Sequence, residues 1–161
     1  MKRAILILLS FSPFLMIAQN GEIHGNFDLN IQSYQEDNAI GAERADEIIL
    51  SNSYFNVLYS NKNFSAGFRY ESYLNALLDF DDDYKGNGFP YRYASYNFDG
   101  LEVTAGNYYE QFGSGLIFRS YEDKMLGVDN AMDGIRLKYQ PYKGIYLKSF
   151  IGKSRTYFTY S

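Results

Sequence analysis

The stretch IHGNFDLNIQ, residues 23–32, decides the fold, because apolar or small residues alternate in it with polar residues at every position. One set of alternate positions holds Ile23, Gly25, Phe27, Leu29 and Ile31, and the other holds His24, Asn26, Asp28, Asn30 and Gln32. Successive side chains of a strand point to opposite sides of the sheet, so a period of two over ten residues predicts a β-strand with one apolar and one polar face.

The same alternation recurs in residues 64–71 and 135–140, where the polar positions include Arg69, Glu71, Arg136 and Lys138. Less regular strands are predicted at residues 48–60, 91–98, 101–109 and 145–153, and in 91–98 the pattern does not decide which face is apolar. No window has a sustained helical period. The sequence therefore predicts an all-β, antiparallel protein with about seven strands.

The predicted connections between strands alternate in length. Residues 61–63, 99–100 and 141–144 form short turns, whereas residues 35–47, 79–89 and about 110–133 form long polar loops. If the first strand runs outward from the periplasm, every short turn lies on the periplasmic side. This asymmetry is typical of an up-and-down transmembrane β-barrel, whose strands have about 9 to 11 residues. The alternative is a secreted soluble β-sandwich that binds surface carbohydrate or protein, whose turns have no reason to sort by length.

The aromatic content also favours a barrel. The chain has 17 tyrosines and 13 phenylalanines but no tryptophan, and hydrophobic residues make up 46% of it. Several of these rings lie beside the short turns, where an interfacial aromatic girdle is expected. They are Tyr59, Phe64, Phe98, Tyr139 and Tyr142.

Residues 1–18 have the pattern of a secretory signal peptide. Lys2 and Arg3 precede a short apolar segment that ends at the small residue Ala18. The segment is too short and too interrupted for a transmembrane helix, which disfavours a retained anchor. We expect a mature chain that begins at Gln19, a single barrel domain over residues 19–161, and export to the outer membrane.

The composition excludes several functions. The chain has no cysteine and one histidine, so it has no disulfide scaffold, thiolate zinc site or multi-histidine metal centre. Its net charge of -4, with scattered basic residues, disfavours nucleic acid as a partner. The acidic run at residues 79–83 has Tyr84 and Pro90 where a calcium loop needs glycine and glutamate. We predict no enzyme, cofactor or metal site, and we expect membrane lipid and other envelope proteins as partners.

One loop segment has a possible functional role. Gln111, Gly113, Ser114 and Gly115 precede the apolar residues 116–118, and Arg119 follows them. Glycine permits a positive φ, and residues 116–118 are too apolar for a freely solvated loop. We expect this third long loop to fold into the barrel. There it either narrows the passage or only makes the barrel more rigid.

Residues 106–145, GNYYEQFGSGLIFRSYEDKMLGVDNAMDGIRLKYQPYKGI, resemble an uncharacterised outer-membrane β-barrel family of Bacteroidota, called domain of unknown function 6029. Residues 21–27, GEIHGNF, resemble the start of the same family. The resemblance implies an outer-membrane barrel and no known activity. In such a barrel, the alternation of the strands predicts that the polar positions line the lumen, namely His24, Asp28, Arg69, Glu71, Arg136 and Lys138. Seven strands cannot close a bacterial barrel, which has an even number, so we expect an incomplete N-terminal portion. The expected function is that of a channel, transporter or secretion-associated barrel.

Overall fold

The computed structural model describes residues 21–42, 45, 47–78 and 80–160, so the predicted signal peptide and Gln19 lie outside the described residues. The strands are β1 Glu22–Gln32, β2 Leu50–Asn61, β3 Phe64–Leu74, β4 Gly86–Phe98, β5 Leu101–Tyr108, β6 Glu122–Asp123, β7 Val128–Asp129, β8 Met132–Tyr142, β9 Ile145–Thr156 and β10 Thr159–Tyr160. One turn of 3-10 helix, Asp82–Tyr84, precedes β4. The all-β prediction is confirmed for the described residues.

The main sheet is antiparallel, with the strand order β1-β2-β3-β4-β5-β8-β9-β10. Each strand therefore pairs with its neighbour along the chain, except that a separate hairpin, β6–β7, is inserted between β5 and β8. In the described part of the chain, β1 and β10 are the two edges and no ladder joins them. The up-and-down antiparallel sheet is thus present, and it is open.

The seven long strands match the predicted ones, but several of their bounds differ. β2 begins at Leu50 instead of residue 48, β4 begins at Gly86 instead of residue 91, and β9 continues to Thr156. The start of β4 departs from the prediction because its ladder with β3 changes register between Arg69 and Glu71, which interrupts the alternation.

The short turns after β2, β4 and β8 lie at one end of the sheet, and the long connections and the β9–β10 turn lie at the other. Each of these turns contains a residue with positive φ, namely Lys62 (52°), Asp99 (47°) and Gly144 (95°) in chain order. Such two-residue turns suit the twist of paired strands. Among the described residues, no helix has the length and apolarity needed to cross a membrane.

The two faces of the sheet have an inverted pattern of burial. On the apolar face, large side chains are exposed, as for Phe27 (61%) and Leu137 (41%). On the polar face, by contrast, Glu71 is 0% and Thr104 2% exposed, because the long connections pack over them. A soluble protein buries its apolar face instead. The apolar face also holds a charged pair between Arg92, in the middle of β4, and Asp133, near the start of β8, with a nitrogen-oxygen distance of 3.4 Å.

The largest buried aromatic cluster lies at the end of the sheet where the long connections meet. Tyr54 and Tyr73 contact each other edge to face, with ring centroids 5.8 Å apart, and Tyr84 packs against Tyr73 at 5.2 Å. Tyr157, from the turn between β9 and β10, lies 4.9 Å from Tyr84. This cluster holds the connections down on the polar face of the sheet.

Candidate functional site

The centre of the polar face holds a network of charged residues, called the central cluster, which consists of Arg69, Glu71, Glu122, Asp129 and Arg155. Arg155 donates to Glu71 at 2.7 and 3.2 Å and also bonds to Asp129. Arg69 donates to Glu122 at 2.5 and 3.1 Å and lies 3.4 Å from Glu71. Each guanidinium thus joins Glu71 of β3 to a carboxylate of the β6–β7 hairpin. The hairpin carboxylate is Asp129 for Arg155 and Glu122 for Arg69.

Glu71 is the most deeply buried carboxylate of the central cluster. Its side chain is 1% exposed, and the Arg155 side chain is 0% exposed. The hydroxyl of Tyr73 donates to the second Glu71 oxygen at 3.0 Å. A buried carboxylate needs such partners, because an unpaired ion in a protein interior costs several kcal/mol.

The β6–β7 hairpin lies against the polar face and is held there mainly by charge. Its turn forms because the Asp123 carboxylate accepts from the backbone N–H groups of Met125 and Leu126, at 3.0 and 3.2 Å. Gly127 supplies the positive φ of 63° that this turn requires. Lys124 then reaches across to Asp28 of β1 at 3.2 Å, so the hairpin bridges opposite parts of the sheet.

Tyr109 connects the hairpin to the end of β5. Its hydroxyl donates to Asp129 at 3.0 Å. Burial, followed by the negative charges of Asp129 and Glu122, raises the pKa of Tyr109 well above its ordinary value. The hydroxyl therefore remains a proton donor to the carboxylate throughout the physiological pH range.

The three carboxylates of Glu71, Glu122 and Asp129 lie close enough together to be considered as a metal site, since one oxygen from each falls within 4.8 Å of the others. Each of these carboxylates already accepts from a guanidinium of Arg69 or Arg155. A cation placed among them would meet two positive charges at short range. The residues present therefore do not fit a metal ion.

A second network, called the loop cluster, joins β5, β8 and β9 to the third long connection. It consists of Glu102, Glu110, Arg136, Lys138 and Lys148. Arg136 donates to Glu102 at 2.7 Å, and Glu110 lies 2.6 Å from Lys148 and 3.3 Å from Lys138. With three positive and two negative side chains, the loop cluster has a surplus of positive charge.

Glu110 is the residue through which the loop cluster holds the connection. Burial acts to raise the pKa of this carboxyl, but hydrogen bonds from Lys148 and from the Gln111 backbone, together with the charge of Lys138, lower it below its ordinary value. Glu110 thus stays ionised, and the Lys148 ammonium also donates to the Gln111 carbonyl at 3.0 Å.

The third long connection runs from β5 to β8 and includes the β6–β7 hairpin. Its first part, residues 110–120, forms a compact loop over the polar face. A β-bridge joins Gln111 to Arg119, and Gly113 and Gly115 have φ values of 54° and 88° on either side of Ser114. The ring of Phe112 stacks on Phe150 of β9 at 5.2 Å, and Phe118 lies 4.8 Å from the same ring.

The three apolar residues 116–118 of this loop differ in their exposure. Leu116 is 93% and Ile117 90% exposed, and only Phe118 packs inward. Phe112 and Phe118 lie at the two ends of the loop, and both pack against Phe150. The tip of the loop, between these two rings, therefore points away from the sheet.

The structure separates the predicted lumen residues into three groups. Arg69 and Glu71 lie in the central cluster, and Arg136 and Lys138 lie in the loop cluster. The two candidates on β1 are at the open edge of the sheet. There His24 contacts only Glu22, at 3.4 Å, among the described residues, and Asp28 pairs with Lys124.

The family of the chain is shown by its sequence match. The model of a family of unknown function, DUF6029, matches residues 1–161, which is the whole chain. The chain belongs to the DUF6029 family. The match confirms that residues 21–27 and 106–145 resemble this family of unknown function. No curated protein shows significant similarity to this DUF6029 chain.

Some residues that organise the polar face of the DUF6029 chain are not predicted from its sequence. Lys148 could have been found, because alternation along β9 places it on the same side as Phe150. Arg155 could not be found in this way, since the same alternation places it with Ile151 on the apolar face. The strand leaves β8 after Ser154 and pairs with β10 instead, and Arg155 is buried there.

The β6–β7 hairpin of the DUF6029 chain is likewise absent from the sequence prediction. Its strands have two residues each, which is too short for a period of two to be recognised. The only local signal is the turn between Asp123 and Gly127.

Proposed function

We propose that this chain is an integral outer-membrane β-barrel protein whose function is in transport, as a channel or as a secretion-associated barrel, and that it is not an enzyme. The observation that carries the proposal is the inverted pattern of burial across the sheet. Seven long strands expose apolar side chains on one face, whereas the polar face, which is exposed along β1, buries ionised and amide groups such as Glu71 and Asn52. Lipid is the environment that favours this arrangement.

The lengths of the strands and the positions of charge support the same proposal. Five of the strands, β1, β2, β3, β8 and β9, have 11 or 12 residues, enough to cross a bilayer when tilted. Tyr59 and Phe64 pack together on the apolar face beside a short turn, with centroids 6.2 Å apart. The Arg92–Asp133 pair on this face joins two opposite charges, so neither charge would meet lipid alone.

The competing proposal of a soluble β-sandwich receives less support. A sandwich covers its apolar face with a second sheet. The only other sheet among the described residues is the two-stranded β6–β7 hairpin, and it covers the polar face. A sheet in lipid must also leave no edge unpaired. The proposal therefore requires the β1 edge to pair with further strands or with another copy of the chain.

The networks on the polar face favour transport over catalysis. Glu110 is paired with Lys148, and its pKa is lowered, which disfavours it as a general acid, because an acid needs a raised pKa. Both oxygens of the buried Glu71 accept from Arg155, so this carboxylate is occupied by a structural contact. The β6–β7 hairpin and the preceding residues 110–120 of the third long connection both lie across this face. In a closed barrel they would narrow the lumen and select what passes.

The test compares two adjacent residues on opposite faces of β1. Phe27→Arg places a charge on the proposed lipid face, which costs about 2 to 4 kcal/mol near the bilayer midplane, whereas Asn26→Arg adds the same charge to the polar face. We expect the full chain, expressed with its leader, to require detergent for extraction from envelopes and to begin at Gln19 by mass spectrometry. Phe27→Arg should strongly reduce the yield of folded protein, and Asn26→Arg should not.

Two outcomes would overturn the proposal. One is extraction of the unmodified chain by salt or carbonate without detergent, which is expected of a soluble secreted module. The other is an equal yield of folded protein for both variants, since the two faces would then meet the same environment.

A further inference from the structure

Two cavities on the polar face lie side by side and share two tyrosines. The first has a volume of about 510 Å³ and extends from β1 to β4, and the second has a volume of about 370 Å³ and extends from β3 to β8. Both are lined by Tyr91 and Tyr93. Together they form one groove across the polar face, called the tyrosine groove, and each part has a size ordinary for a small-molecule site.

Tyr93 provides a flat platform in the middle of the tyrosine groove. A methyl group added at Gly67 would lie 2.8 Å from the Tyr93 Cε1 atom, so the ring rests directly on the glycine backbone of β3. The ring is therefore held against β3, contacts Tyr91 edge to face with centroids 6.0 Å apart, and borders both cavities. Gly67 is needed at this position because any side chain would displace the tyrosine from the strand.

Tyr91 has a different role, because its ring is already in contact with other side chains. Tyr109 stacks on it with centroids 5.4 Å apart and planes at 19°, and the Arg69 guanidinium lies 5.3 Å from its centroid. Tyr91 is thus a rigid wall of the groove. Tyr93 remains the ring that can stack on a bound molecule.

The rest of the lining consists of hydroxyl and amide groups. Ser65, Ser95 and Thr104 line the second cavity, and Asn26 and Asn56 line the first. Ser95 and Thr104 share a hydrogen bond of 3.0 Å, and Asn56 accepts from Arg69 through its carbonyl oxygen at 2.8 Å. Thr104 is 2% exposed and also accepts from Arg136 at 3.2 Å, so it forms part of the wall. A hydroxyl offers one donor and two acceptor positions, and an amide offers two N–H donors besides its oxygen, so the serines and asparagines retain capacity for a ligand.

The charged side chains that border the groove are neutralised by partners. Arg136 pairs with Glu102 at 2.7 Å, Arg69 pairs with Glu122 at 2.5 Å, and Lys124 pairs with Asp28 at 3.2 Å. Each of these side chains thus has an oppositely charged partner, and the surplus positive charge of the loop cluster lies on Lys138 and Lys148, which do not line the groove. This favours a neutral ligand over a charged one.

We propose that the tyrosine groove binds a neutral oligosaccharide. A pyranose ring has an apolar C–H face that stacks on an aromatic ring, and its rim of hydroxyl groups pairs with serine and asparagine. Because the groove is on the polar face, the proposal holds whether or not the apolar face meets lipid. It adds a ligand class to the proposed transport function.

The experiment uses the full-length chain in a zwitterionic detergent that has no sugar head group. The chain lacks tryptophan, so its intrinsic fluorescence comes from its 17 tyrosines, and Tyr91 and Tyr93 of the groove are among them. The probes are cellohexaose, maltohexaose, xylohexaose and mannohexaose, and oligogalacturonate is the charged comparison. We expect at least one neutral probe to change the fluorescence saturably. Oligogalacturonate should bind more weakly.

Variants separate stacking from folding. Tyr93→Ala should weaken binding about tenfold or more, the scale on which central aromatic contacts act, while Tyr93→Phe should keep most of the affinity. Tyr96→Ala is the matched control, since this tyrosine lies on the same strand and is 51% exposed on the apolar face. Thermal unfolding of each variant shows that the affinity is compared between folded proteins.

Three results would overturn the proposal: no saturable response to any neutral probe, equal affinity of folded Tyr93→Ala and Tyr96→Ala, or tighter binding of oligogalacturonate. The membrane proposal can fail separately. If the chain is extracted without detergent but binds a neutral probe through Tyr93, only the outer-membrane location is rejected.

Discussion

Arg155 is the residue whose loss should release the β6–β7 hairpin from the sheet. Its buried guanidinium donates to both oxygens of Glu71, at 2.7 and 3.2 Å, and also bonds to Asp129 of the hairpin. Arg155→Met keeps much of the volume but leaves Glu71 with Arg69 at 3.4 Å as its nearest cation. Breaking a buried ion pair costs about 3 to 5 kcal/mol, and because Arg69 remains, we expect a value of about 3 kcal/mol.

The assay follows opening of the hairpin by limited proteolysis. A loss of about 3 kcal/mol raises the population of the open hairpin by about 100-fold, since each 1.4 kcal/mol is tenfold. Trypsin cleavage after Lys124, measured by mass spectrometry on the full chain in detergent, should accelerate by up to this factor. The control is Lys153→Met, which removes an exposed cation from the same strand and likewise removes one tryptic site.

A double variant tests the physical cause. Adding Glu71→Gln to Arg155→Met removes the unpaired buried charge, so the double variant should be more stable than the sum of the two single losses predicts. The two rates of trypsin cleavage after Lys124, in Arg155→Met and in Lys153→Met, are then compared. If they agree within about twofold, the Arg155–Glu71 pair contributes no more to stability than a surface salt bridge does. Such a result would refute the role of Arg155 as the anchor of the hairpin.

Two further predictions concern packing and pH. Gly134→Ala should destabilise the fold by about 1 to 3 kcal/mol in thermal unfolding, because the added methyl group would lie 2.0 Å from the Ile151 carbonyl oxygen. Gly25→Ala is the control and should cost less, since its methyl group would lie 3.2 Å from the nearest atom. Equal losses of stability in the two variants would contradict the close approach at Gly134. The pKa of Glu110 is lowered in the folded chain, so its contribution is present above the unfolded carboxyl pKa of about 4.3 and is lost as pH falls through the lower folded value. Glu110→Gln should therefore flatten the acid limb of a stability-against-pH curve, and an unchanged limb would contradict the pairing with Lys148.

The elements that repeat along the chain are predictable from sequence. The strict alternation in residues 23–32 predicts β1, and each short turn is marked by glycine, asparagine or aspartate between apolar runs. These signals are local, since they depend on side-chain direction along one strand and on φ at one turn residue. For this reason the all-β class, the antiparallel order and the positions of the long strands follow from the amino-acid sequence alone.

The placement of the candidate site is only partly predictable. Alternation places Arg69, Glu71, Arg136 and Lys138 on polar faces of their strands, but it cannot show that they divide into two separate networks. Glu71 and Arg155 are 84 residues apart in sequence, and their contact depends on the curvature that brings β9 over β3. Nothing local to either residue specifies that contact.

The sequence by itself determined which side chains share a face, because a period of two is a property of each strand alone. Only the tertiary structure decided which face is covered, since the β6–β7 hairpin and the third long connection fold back onto the polar face and leave the apolar face open. The physical reason is that these connections are anchored by pairs such as Asp129 with Arg155 and Glu110 with Lys148, and each such pair forms between residues far apart in the chain.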